Sequence, residues 1–125
     1  DAIEEGFVLR PSLFGGCLEL FGMKDWRAMQ DKLGKLNPFK AENLMLIRRF
    51  NAGARMVKVD ANGRLQIPKD LIEKTNLVKE VVMTSVIDRM QIWDRSLKDI
   101  EDSKMSEKEL AEMLTAKLGD LDFIG

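Results

Sequence analysis

Asp60-Ala61-Asn62-Gly63-Arg64 brings an acid, an amide, a glycine and a guanidinium together within one short stretch. An aspartate entering a tight turn can accept hydrogen bonds from the amides two and three residues on. A glycine can take the positive φ that such a turn requires. Arg64 then leaves the base of the loop with a planar fork of donors suited to phosphate or to the O6/N7 edge of guanine. A bidentate base contact of that kind is worth about 1–3 kcal/mol. Such a loop could do recognition chemistry, with Arg64 as the main contact to nucleic acid and Lys58 and Lys69 as phosphate contacts. Asp60, Asn62 and Gly63 would set the loop geometry. A plainer alternative has the same residues form an ordinary hairpin turn, with Arg64 paired to Asp60 inside the fold.

Other chemistries are poorly supplied. The chain of 125 residues has no histidine and no tyrosine. That removes the commonest general base and nitrogen metal ligand, and with them a Ser-His-Asp or Cys-His arrangement. A carboxylate enzyme built on Asp60 and Glu73 would need both acids in one pocket, which nothing in the sequence arranges. No enzyme activity, cofactor, metal or small-molecule substrate is expected. Cys17 is the lone cysteine; it fits a reducing cytoplasm and reads as a small buried hydrophobe. No stretch is apolar enough to span a bilayer, and the acidic start is unlike a signal peptide. The first residue is not methionine, so a processed or trimmed chain is expected.

Net charge is −1, but its distribution is uneven. Lys40 to Glu80 carries nine cations against five acids, and Val81 onward carries six against ten. Arg48 and Arg49 sit late in a helix, where cations meet the helix dipole favourably, a role as open to them as DNA contact, and Lys40 reads as a solvated charge.

The elements that must position the loop follow from periodicity. Phe7 to Arg10 and Cys17 to Phe21 read as a β-hairpin around Gly15-Gly16. Lys24 to Leu36 reads as a helix carrying Trp26, Met29, Leu33 and Leu36, halted by Asn37-Pro38. A second helix runs from Ala41 to Phe50, with Leu44, Ile47 and Phe50 on one face and Asn51-Ala52-Gly53 as its cap. Strands Arg55 to Val59 and Arg64 to Ile67 flank the turn, and Pro68 opens a short helix from Lys69 to Thr75. Glu80 to Val86 and Met90 to Trp93 form another hairpin around Ile87-Asp88-Arg89. A helix starts near Ser96. Ser106 with Glu109 makes a capping box for a last helix that buries Leu110, Met113, Leu114 and Leu118. Trp26, Trp93 and the methionines are expected to fill core and subunit contacts.

The two hairpins resemble each other, Phe7 aligning with Val81, Leu18 with Met90 and Phe21 with Trp93, which suggests two copies of one unit. The second copy is preceded by strand, turn, strand and short helix; the first copy lacks that unit in this chain. The expected organisation is a first repeat over 1–52 without its turn hairpin, a second repeat over 53–98 and an acidic helical tail over 99–125.

The run Asn43 to Ala54 (NLMLIRRFNAGA), followed by Val57 to Pro68 (VKVDANGRLQIP) and the Ile92-Trp93 strand end, resembles the MraZ family, a relative of the AbrB swapped-hairpin proteins. The resemblance covers nearly the whole chain. It implies an α+β, mainly β fold with flanking helices, a double-split β-barrel built from two pseudo-repeats per chain. It further implies a DNA-binding transcriptional regulator, cytoplasmic and nucleoid-associated. Such a regulator binds promoter direct repeats of the cell-division and cell-wall operon and assembles as a homo-oligomeric ring. The absent first DxxGR copy is a departure from the family pattern. The competing class is an AbrB-like oligomerisation and protein-interaction module, docking partners through its acidic tail.

Overall fold

The structure, a computed structural model, describes residues 5–77 and 80–119. Lys79 and the tail beyond Gly119 lie outside the described residues. The fold is α+β, and the chain divides into two compact units, one running to Arg95 and the other starting at Ser96.

The first unit is organised by one antiparallel sheet. Its strands are β1 (Phe7–Pro11), β2 (Cys17–Gly22), β3 (Arg55–Val57), β4 (Val81–Val86) and β5 (Arg89–Asp94), in the order β3-β1-β2-β5-β4. They pair as an open row, with β3 and β4 at its ends. Alternation sorts the side chains. Leu9, Leu18, Leu20 and Ile92 share one face, and Arg10, Cys17, Glu19 and Phe21 point to the other. Both faces are covered at the centre of the sheet, so β1 and β2 read as almost continuously buried.

On the first face Leu65, Ile67 and the helix α3 (Lys69–Thr75) supply Leu71, with Leu77 just beyond, to the core around Leu9, Leu18 and Val57. On the second face lie α1 (Met23–Leu33) and α2 (Ala41–Asn51). Trp26 meets Phe21 edge-on at 5.4 Å and stacks on Phe50 at 5.9 Å, and Gln30 Nε2 donates to Asn51 Oδ1 at 2.7 Å. Trp26 is thus a packing residue.

The two hairpins join through β2 and β5, with Cys17 opposite Trp93 and Glu19 opposite Gln91. Their internal registers correspond pair for pair. Phe7 with Gly22 matches Val81 with Asp94, Val8 with Phe21 matches Val82 with Trp93, and Arg10 with Glu19 matches Thr84 with Gln91.

Several local expectations shift. α1 ends at Leu33, not Leu36, because Gly34 is a poor helix former and the chain tapers into turn hydrogen bonds from Lys35 to Lys32 and Leu36 to Leu33. The strand at Arg55 stops at Val57, and Arg64 to Ile67 forms no strand; Val59 and Leu65 make a lone bridge. Leu65 and Ile67 turn inward to the core, which draws that segment off a ladder. Ile87, with φ 55°, and Asp88 form a two-residue hairpin loop. Five of the eight methionines, Met45, Met56, Met83, Met105 and Met113, are exposed, whereas Met90 packs against the core.

Gly16 has φ 81°, and a Cβ there would lie 2.9 Å from the Trp93 ring. Gly16→Ala is therefore expected to cost at least about 1–2 kcal/mol, the left-handed penalty alone. Urea denaturation followed by Trp fluorescence would measure it.

Cys17 is buried, and burial pushes its thiol from 9.0 up to about 11, against a smaller opposing hydrogen bond with Ser12. The acid is weaker folded than unfolded. Its contribution to stability is therefore complete below pH 9 and is lost as pH rises toward 11. Cys17→Ala should flatten the stability–pH curve in that window, as read by denaturation midpoints.

The second unit contains α4 (Arg95–Asp102), whose first residue belongs to the sheet unit, and α5 (Glu107–Leu118). Ser106 Oγ accepts from the Glu109 amide at 3.1 Å and donates to the Glu109 carboxylate at 3.1 Å. The box thus closes through the two side chains, and not through the Ser106 amide. Leu110, Met113, Leu114 and Leu118, read as core or subunit contact, are not buried within the single chain. Leu110, Met113 and Leu118 are exposed and Leu114 is half-buried, because no described element of this unit covers that stripe.

Candidate nucleic-acid interface

The loop after β3 is held by its own hydrogen bonds. Asp60 Oδ1 accepts from the amides of Asn62 at 2.8 Å and Arg64 at 2.9 Å, two and four residues on, in place of the expected two and three. The amide three residues on, that of Gly63, donates instead to the Asp60 carbonyl at 3.0 Å. The Asp60 amide closes the base on the Arg64 carbonyl at 2.9 Å. Gly63 has φ 76° with open space where a Cβ would stand, so its requirement is conformational, not steric. Three functions follow for these residues: Asp60 gathers amides, Gly63 makes the reversal and Arg64 exits at the base.

The carboxylate of Asp60 is thereby committed to backbone, not to the guanidinium beside it. Arg64 is exposed and forms no ion pair among the described residues, so it is not folded inward against Asp60. Lys58 and Lys69 are likewise exposed and without an acid partner among the described residues. Lys58 follows β3 directly, and Lys69 opens α3. The structure thus places Lys58, Asp60, Asn62, Gly63 and Arg64 on one loop, with Lys69 at the start of the helix that follows it.

Several basic residues are already paired with acids, Arg55 and Arg89 among them. Arg55 Nη2 sits 2.8 Å from Asp70 Oδ2, tying β3 to the first turn of α3. Both groups are about half exposed, so this pair offsets charge more than it adds stability. Arg89 is held at 2.9 Å from Asp88 and 3.3 Å from Glu19. Arg48 and Arg49 occupy the last turn of α2, and Lys40 its N-cap, all exposed.

A buried ionic cluster escaped the sequence reading. Arg10 is 2% and Glu19 3% exposed, facing each other across β1 and β2. The Arg10 guanidinium lies 4.3 Å from the centre of the Phe50 ring, and that of Arg89 4.7 Å from Phe21. Burial lowers the Arg10 pKa, with Glu19 pulling it back up and Arg89 lowering it further. The hydrogen bond to Asp88 raises that of Arg89 and lowers that of Asp88. A charged residue on the same strand face as Cys17 and Phe21, Glu19 between two apolar neighbours of that face, was the available signal.

No described helix is long and apolar enough to cross a membrane. Comparison with known proteins matches residues 50–117 to the family model for the MraZ protein, described as antitoxin-like. The chain is similar to the transcriptional regulator MraZ of Flavobacterium psychrophilum, 43% identical over 98% of this chain and 79% of that protein. It is similar also to the transcriptional regulator MraZ of Christiangramia forsetii, at 41% over 98% and 79%. The transcriptional regulator MraZ of Acetivibrio thermocellus is 34% identical over 95% of this chain and 83% of its own length. With the family model spanning more than half of the chain and these relatives spanning nearly all of it, the chain belongs to the MraZ family.

Proposed function

We propose that the chain is a sequence-specific, double-stranded-DNA-binding transcriptional regulator. Arg64 makes the main base contact, Lys58 and Lys69 contact phosphates, and Asp60, Asn62 and Gly63 hold the loop in shape. One observation carries this reading: an exposed guanidinium without an acid partner among the described residues, on a loop whose only acid is occupied by backbone amides. A preorganised donor fork of this kind loses little entropy on meeting a base edge or phosphate.

The finer features follow the family. The target is a set of direct repeats in the promoter of the cell-division and cell-wall operon, which places the protein in the cytoplasm at the nucleoid. A homo-oligomeric ring presents several loops to tandem sites and converts later contacts into intramolecular ones. The chain divides into a repeat over 1–52, a repeat over 53–98 and a tail over 99–125, the two repeats building a double-split barrel. The matched hairpin registers, with Glu19 opposite its counterpart Gln91, support the repeat. The unit holding the Asp60 loop flanks β1 through β3. The corresponding outer side of β4 has no partner among the described strands, and Val81 and Met83 are exposed there.

The test is fluorescence anisotropy with a labelled promoter duplex bearing the repeats and a shuffled duplex of equal length, at about 50 and about 200 mM salt. The repeat duplex should bind at least about tenfold tighter, and both affinities should fall at the higher salt. Equal affinity for the two duplexes overturns the reading. The second reading, a protein-interaction module without DNA binding, is favoured by the uncovered apolar stripe of α5.

A further inference from the structure

We propose that Gln66 is a second base-reading residue, meeting the major-groove edge of an adenine close to the base that Arg64 contacts. The inference rests on the DNA reading above and deepens it, because it names a further base the site takes and the residue that takes it.

The chain on either side of the Asp60 turn forms a short two-stranded arm. Val59 bridges Leu65, and the Asp60 amide donates to the Arg64 carbonyl, so Lys58 stands across from Gln66. Burial alternates along both sides of the arm. Val57 is buried and Val59, Leu65 and Ile67 are half-buried, whereas Lys58, Asp60, Arg64 and Gln66 are exposed. Successive side chains of an extended chain point to opposite faces, so Lys58, Arg64 and Gln66 share the outer one. Leu65 and Ile67 pack on the core and thereby fix the direction of the residue between them.

Chemistry singles out Gln66 on that face. Lysine and arginine side chains only donate hydrogen bonds, and the Asp60 carboxylate is already held by two amides. Guanine shows two acceptors in the major groove, which suits Arg64. Adenine shows a donor at N6 and an acceptor at N7, and needs a group that both accepts and donates. Gln66 supplies such a group, and its side-chain amide has no hydrogen-bond partner among the described residues. Asn62 carries the same group, but it lies in the turn itself and serves the loop through its backbone amide. Two residues of extended chain cover about 6.6 Å, close to two base steps of about 3.4 Å. Arg64 and Gln66 therefore reach near-neighbour bases. Lys58 across the arm and Lys69 beyond it bracket Gln66, so a duplex held by those two lysines passes over it.

The test is fluorescence anisotropy of the full chain with labelled duplexes of the promoter repeat in which each base pair is changed in turn, A·T to C·G and G·C to T·A. The parent should lose about ten- to a hundredfold at one A·T position of the repeat. Gln66→Ala should bind the unchanged repeat as weakly as the parent binds that altered duplex. It should be indifferent to the change at that position while keeping the penalties at guanine positions. Gln66→Glu should prefer the altered duplex, since a carboxylate accepts from cytosine N4 and cannot donate to adenine N7. Circular dichroism of both variants should match the parent. Equal parent affinity for the repeat and a shuffled duplex ends the DNA reading and this contact with it. A parent that discriminates, beside a Gln66→Ala protein that keeps every positional penalty or loses the same factor on both duplexes, overturns the adenine contact alone. So does an A·T penalty that vanishes with Asn62→Ala instead.

Discussion

Arg64→Ala is expected to weaken binding to the repeat duplex by about ten- to a hundredfold, the loss of one bidentate base contact per loop. The fold should be untouched. Arg64 is exposed and pairs with no acid among the described residues, and surface substitutions of that kind change stability by about 0.5 kcal/mol or less. Arg64→Lys separates two modes of contact. Lysine keeps the charge but not the planar fork, so it restores a phosphate contact and fails to restore a base contact. Base reading therefore predicts that Lys behaves like Ala on the repeat duplex while retaining the salt dependence of the parent.

Asp60→Ala leaves the guanidinium in place and removes the acceptor for two amides, so it should weaken binding by loosening the loop. Arg55→Ala is the control. Arg55 already spends its charge on Asp70 and should matter far less. Parallel anisotropy titrations read all four variants, and an Arg64→Ala protein that binds like the parent ends the assignment of this residue.

Glu19→Ala is expected to have the largest effect on stability, about 3–5 kcal/mol, the usual consequence of removing one partner from a buried ionic group. Glu19 has little access to water, and so has the opposite Arg10. With Glu19 gone, Arg10 keeps its place over Phe50 but stays buried beside a second cation, Arg89. The remaining Asp88 lies with Arg89 and not on Arg10. Against a net stability of about 5–15 kcal/mol for a domain, such a loss leaves a substantial unfolded population.

Replacing Arg10 and Glu19 together by methionine should return much of that stability, since apolar groups of similar volume carry no desolvation penalty. Urea denaturation of the single and double variants measures both effects. A loss below about 1 kcal/mol for Glu19→Ala would show that water reaches this cluster and that the charges are not mutually dependent.

The hairpins, the helices and the Asp60 turn were all legible in the amino-acid order. In each case the interactions that matter are local: alternation along β1 and β2, helical spacing through Trp26 and Met29, and hydrogen bonds confined to Asp60 through Arg64. A few neighbouring residues contain the whole cause. The ionic cluster and the α5 stripe were not legible in the same way. Glu19 becomes buried because Arg89 arrives from 70 positions away and because β5, not another strand, closes on β2. Arg64 to Ile67 looks like a strand, yet Leu65 and Ile67 are claimed by a core that includes Leu9 and Leu71. The α5 stripe reads as buried from its period alone, but period says only that a face is apolar, not what covers it. Local torsional and hydrogen-bonding preferences act within a few residues and leave their mark in sequence. Burial and strand partnership depend on which distant segments meet, and folding in three dimensions settles that.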